Sequence, residues 1–164
     1  MRGTPRRLLS LALLLVTGTS QVSPASGSSS PTGAVLHVPG DYPTIQAAIL
    51  TASDGDEVLV SPGVYPENVS FRGKAIRVRS LAGPEVTTID GSYTTAGPDS
   101  GSVVRFVDGE DANAILESFT LTGGTGTKLV FQGYTYYIGG GVGCIGSSPT
   151  VRNCQIKENS VAQF

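Results

Sequence analysis

Tryptophan is absent from this 164-residue chain, histidine occurs once, and only 15% of the residues are charged. So little charge is unusual for a helical protein and ordinary for a β-rich one. The formal net charge of −2 offers no basic surface for nucleic acid, and none for attraction to an anionic membrane. The chain has two cysteines, no Cys-x-x-Cys, and a lone His37 far from both, which excludes a metal centre built from thiolate and imidazole. The apolar run at 8–16 is too short to span a bilayer, which takes about 20 residues.

What is present is punctuation. Gly 22 and Pro 10 mean frequent turns, and the length suits one domain. Arg2, Arg6 and Arg7 precede the apolar run, and small residues follow it. This is the pattern of a secretory signal peptide over 1–20, with cleavage between 20 and 25. A Ser/Gly/Pro-rich linker over 21–33 follows, and the folded domain is expected over 34–164. Export implies an oxidising compartment and a secreted or cell-surface location. There Cys144 and Cys154 can bond to each other or remain thiols; their apolar slots in strand patterns favour buried thiols.

The stretch 41–71 organises the rest. Ile45, Ala48, Ile49 and Ala52 share one face of a helix predicted over 44–53, with Pro43 tolerated at its start and Asp41 or Thr44 available as cap. Asp54-Gly55-Asp56 ends it. Strands are predicted at 35–38, 57–60, 68–71, 75–80, 87–90, 103–107 and 115–121, with a polar loop at 94–101. The segment 114–124 aligns without gaps to 149–159, an offset of 35 residues that brings Phe119 onto Cys154. With 126–138 taken as an insertion, the underlying period is about 20–26 residues, the mark of a solenoid. The helix would cap one end of that stack. The core is expected to hold Val58, Val60, Val69, Phe71, Ile76, Val78, Ile89, Val104, Phe106, Leu116, Phe119, Leu121, Val151, Cys154 and Ile156.

Gly40-Asp41-Tyr42-Pro43-Thr44-Ile45-Gln46-Ala47-Ala48-Ile49 and Gly63-Val64-Tyr65-Pro66-Glu67-Asn68-Val69 resemble the N-terminal coil of secreted proteins of the pectin-lyase-like superfamily, and pectin methylesterases open in a similar way. Gly139-Gly140-Gly141-Val142 and Ser148-Pro149-Thr150-Val151-Arg152-Asn153-Cys154-Gln155-Ile156 resemble the β-helix repeats of bacterial surface proteins. The resemblance implies an all-β, right-handed, single-stranded parallel β-helix with an N-terminal capping α-helix, incomplete at its C-terminal end. The catalytic motif of pectin methylesterases and the calcium-and-arginine set of pectate lyases are both missing from this sequence.

Three groups of residues are candidates for a site. Asp108, Glu110 and Asp111 on one turn have the oxygen ligands a calcium ion takes, although a solvated acidic turn is the simpler explanation of them. Arg77, Arg79 and Arg105 at outward strand positions would suit an acidic sugar, or form an ordinary polar face with Arg152. Tyr134, Tyr136 and Tyr137 in the insertion would stack on sugar rings, or fold back over the flank of the domain. The expected function is therefore non-catalytic: polysaccharide binding or a structural role, with an acidic polysaccharide as partner, calcium as the one conceivable cofactor, and a single copy as the working unit. The competing expectations are a polysaccharide esterase or lyase with catalytic coils beyond Phe164, and an adhesin of the polymorphic outer-membrane type, to whose repeats Ile156-Lys157-Glu158-Asn159 is similar.

Overall fold

The computed structural model of the chain describes residues 33–92 and 101–161. The signal-like segment, nearly all of the linker and most of the polar loop expected at 94–101 lie outside the described residues. The elements in order are β1 (Val35–Val38), α1 (Ile45–Thr51), β2 (Glu57–Val60), β3 (Gly63–Tyr65), β4 (Val69–Ser70), β5 (Arg77–Ser80), β6 (Thr87–Asp90), β7 (Val104–Phe106), β8 (Ile115–Glu117), β9 (Thr120–Thr122), β10 (Thr127–Phe131), β11 (Tyr134–Ile138), β12 (Val142–Cys144), β13 (Thr150–Arg152) and β14 (Gln155–Ile156). Among the described residues no helix is long and apolar enough to cross a membrane.

Three sheets are wholly parallel. One runs β1-β2-β5-β8-β13, another β3-β6-β9-β14, and the third β4-β7-β12. The all-β character, the parallel pairing and the one helix among the described residues are as expected from sequence. A uniform stack of coils is not what the sheets form: they hold five, four and three strands, and β10-β11 stands apart as an antiparallel hairpin.

The core follows from strand alternation and register. Leu36, Val58, Val78, Leu116 and Val151 make one row across the five-stranded sheet. Tyr65, Ile89, Leu121 and Ile156 make a second, and Val69, Val104 and Val142 a third. Phe71 and Phe106 meet between the sheets with ring centroids 4.5 Å apart. Every expected core residue from Val58 to Leu121 is buried, whereas Val151 and Cys154 are only half-buried and Ile156 is 54% exposed. The reason is their position: β13 and β14 are the last strands of their sheets, with a neighbour on one side only among the described residues.

α1 closes the opposite end. It is shorter than predicted because Ala52 already has extended backbone after its amide bonds Ala48 O. Thr44, rather than Asp41, caps it, its hydroxyl accepting from Ala47 N at 3.1 Å. Ile45, Ala48 and Ile49 face inward and are fully buried. Residues 67–74 hold the helix at three points. The Glu67 carboxylate accepts from the amides of Ile45 and Gln46, each at 2.9 Å. The Gln46 amide side chain bonds both N–H and C=O of Ser70. The Lys74 ammonium donates to the carbonyls of Ile49, Leu50 and Ala52. An anion at the first turn and a cation at the last both complement the helix ends.

The predicted strand at 115–121 is two strands. Ser118, with φ of 66°, turns the chain between β8 and β9, and Asn153, with φ of 53°, does so between β13 and β14. The gap-free alignment of these segments is also the physical pairing: Leu116 lies beside Val151 and Leu121 beside Ile156.

Candidate functional site

The outward face of the five-stranded sheet is an alternating charge ladder. Register places Glu57 beside Arg77 and Arg79 beside Glu117. Arg77 bonds Glu117 through Nε at 2.9 Å and Glu57 through Nη1 at 3.2 Å. Arg79 bonds Glu57 at 2.9 Å, and Arg152 bonds Glu117 at 3.0 Å. Burial pushes the Glu117 carboxyl up, but the hydrogen bonds and charges of Arg77 and Arg152 outweigh it and hold the group below its ordinary range. An open groove of about 350 Å³ beside the ladder is lined by Gly55, Asp56, Ala75, Arg77, Asn113 and Ile115. Its charged groups are engaged in the fold, since Asp56 accepts from the amides of Ala34 and Ser53.

Arg105 belongs to β7, in the three-stranded sheet, and so does not share a sheet with Arg77 and Arg79. Burial, reinforced by the charge of Arg72 and opposed by that of Asp108, lowers the pKa of its guanidinium. The three arginines expected to act together are thus divided between two faces.

The acidic turn is a structural knot. Glu110 is 2% exposed. One carboxylate oxygen accepts from Gly73 N at 3.0 Å, and the other from Asp108 N at 2.9 Å and the Ser147 hydroxyl at 2.8 Å. Burial raises its pKa; these hydrogen bonds, with one from its own amide, outweigh that and leave it lowered. Asp111 turns instead to the backbone and side-chain nitrogens of Asn113. The expected calcium trio does not converge, and among the described residues no group of three or more His, Cys, Asp or Glu could hold a metal ion. Cys144 and Cys154 are unbonded thiols; Cys154 packs against the core, but Cys144 is exposed rather than buried.

The insertion folds into β10 and β11. Gln132 and Gly133, with φ of 50° and 82°, form a two-residue turn with both central residues left-handed, the kind whose twist matches a hairpin. Register pairs Phe131 with Tyr134 and Leu129 with Tyr136, which puts these four on one face. Phe131 is 64% exposed, Tyr134 68% and Tyr136 51%. Tyr137 pairs with Lys128 and lies on the other face. At the root, the Ser102 hydroxyl bonds the Thr127 hydroxyl and Ile138 O, fixing the hairpin beside β7. Two of the three predicted tyrosines are therefore brought together. Phe131 was missed, and the signal that marks it is Gln132-Gly133 set between two β-rich runs.

No protein-family model matches the chain, and no curated protein matches it.

Proposed function

We propose that this is a secreted or cell-surface protein that binds polysaccharide without catalysis, through the aromatic face of the hairpin. The observation that carries the reading is the exposed trio Phe131, Tyr134 and Tyr136 on one side of a two-stranded ribbon. Flat rings, two of them with hydroxyl tips, suit a sugar, which is apolar on one side and hydroxylated at its edge. The parallel sheets suit a scaffold role for the rest. Their successive registers support the finer reading of a right-handed parallel β-helix, the hand that crossover connections between parallel strands overwhelmingly take. The sugar need not be acidic, because Arg77 and Arg79 already face Glu57 and Glu117.

Titration calorimetry of the full chain against neutral and acidic oligosaccharides tests this. Binding of a neutral oligosaccharide is expected, little changed by salt and weakened at least about tenfold when Phe131, Tyr134 and Tyr136 are all changed to Ala. Unaltered affinity in that variant, or no binding to any oligosaccharide, overturns the reading.

A further inference from the structure

The aromatic face of the hairpin has a definite size. Phe131 and Tyr134 are the facing pair beside the two-residue turn, and Tyr136 follows two positions along β11, opposite Leu129. Facing side chains of such a ribbon start about 5 Å apart, and same-face neighbours along one strand about 7 Å apart. The three aromatic residues thus hold three corners of a small rectangle, with half-buried Leu129 at the fourth. Exposure falls from 68% at Tyr134 and 64% at Phe131 to 51% at Tyr136, so the face is open from the tip towards the root. The short turn fixes the register of the ribbon, and with it the spacing of the rings. The face is also uncharged: Lys128 pairs with Tyr137 on the other side, and the four residues here bring neither a carboxylate nor an ammonium group.

A face of this length meets two linked sugars in succession, one over the Phe131–Tyr134 pair and the next over Tyr136. The negative potential above each aromatic plane attracts the weakly positive C–H groups of a sugar face. Two conditions follow for the ligand. Consecutive sugars must lie in one plane, which a 1,4-linkage achieves when both bonds to the linking oxygen are equatorial; an axial bond bends or coils the chain. In the flat chain each sugar is turned over relative to the last, so both of its faces must be free of axial hydroxyls. A carboxylate on the sugar gains nothing here, because the face has no cation to pair with it.

We propose that the hairpin takes a flat, neutral, β-1,4-linked polysaccharide whose sugars carry only equatorial ring substituents. This chemistry is shared by chains of glucose, xylose and N-acetylglucosamine. The proposal rests on the aromatic face being the sugar site, and it adds the linkage and stereochemistry that the site accepts. Chains with axial linkages, such as α-1,4-glucan, touch the face with one sugar at a time and lose the second ring contact.

Titration calorimetry of the full chain with cellohexaose and maltohexaose is the test, since both are neutral glucose hexamers and differ only in linkage. Xylohexaose and chitohexaose are titrated beside them, and the order among the three equatorial hexamers identifies the chain. The tightest of the three should bind at least about tenfold more tightly than maltohexaose. Its binding should be lost when Phe131, Tyr134 and Tyr136 are all changed to Ala, and kept in Val130→Ser, which alters a residue 67% exposed on the opposite face. The comparison of hexamers is made on the wild type and does not depend on how the triple variant folds. Maltohexaose bound as tightly as the equatorial hexamers, and lost in the triple variant, overturns the linkage preference and leaves the aromatic face as the sugar site. Binding unaltered in a triple variant with a wild-type circular dichroism spectrum overturns both, and no binding of any equatorial hexamer overturns the proposal.

Discussion

Glu110 shows how one side chain can tie together distant stretches of a β-rich chain. Its two oxygens hold the turn at Gly73, its own turn at Asp108, and Ser147 of the following layer. Replacement by Ala leaves two amides and a hydroxyl without that acceptor, a loss of about 2–4 kcal/mol, and Gln should recover only part of it. The pKa of Glu110 is lower in the fold than its ordinary value of 4.5. The unfolded chain therefore binds the proton more readily. The stabilisation is fully present above the unfolded value and disappears as pH falls through the folded one. Denaturant melts below pH 5 should thus show a shallower acid limb for Glu110→Gln than for wild type; equal limbs would show that Glu110 does not couple folding to protons.

At the scale of elements, α1 is too short to be stable alone, since isolated helices under about 12 residues are marginal in water. Its stability comes from three buried apolar side chains and from the clamp formed by Glu67, Ser70 and Lys74. Lys74→Met keeps the aliphatic stem and removes the donor to three helix-end carbonyls. The expected cost is about 1–3 kcal/mol in a denaturant melt, accompanied by faster amide hydrogen exchange in 45–51. The hairpin is an element of another kind. It presents Phe131, Tyr134 and Tyr136 to solvent, and its root is bonded beside β7. A ribbon placed this way can change its tip residues without disturbing the core, which suits a recognition surface.

At the scale of the molecule, depth along a row sets the cost of truncating it. Leu116 and Val151 are register partners, but among the described residues Leu116 has a strand on each side and Val151 on one only. Leu116→Ala should cost about 2–5 kcal/mol and Val151→Ala less than about 1 kcal/mol, read from denaturant melts. Comparable losses would mean that Val151 is as fully covered as Leu116.

Much of this was legible in the sequence, because it rests on periodicity. The apolar spacing of Ile45, Ala48 and Ile49 marked the helix face, alternation marked most strands, and the match of Phe119 to Cys154 marked segments that are in fact paired. Local pattern reports which side of a strand is apolar. It does not report what lies beyond that side. Val151 and Ile156 have the same pattern as Leu116 and Leu121, and only the order of strands in the sheets shows that theirs are the terminal ones among the described residues. Arg77 and Arg79 read as free outward cations until register set Glu57 and Glu117 beside them. Glu110 read as a surface acid until the fold brought Gly73 and Ser147 to it. Short-range spacing therefore determined the elements and the apolar face of each. Long-range pairing, which satisfies backbone groups of residues tens of positions apart, decided which charges are engaged, which strands neighbour one another and which tyrosines share a face.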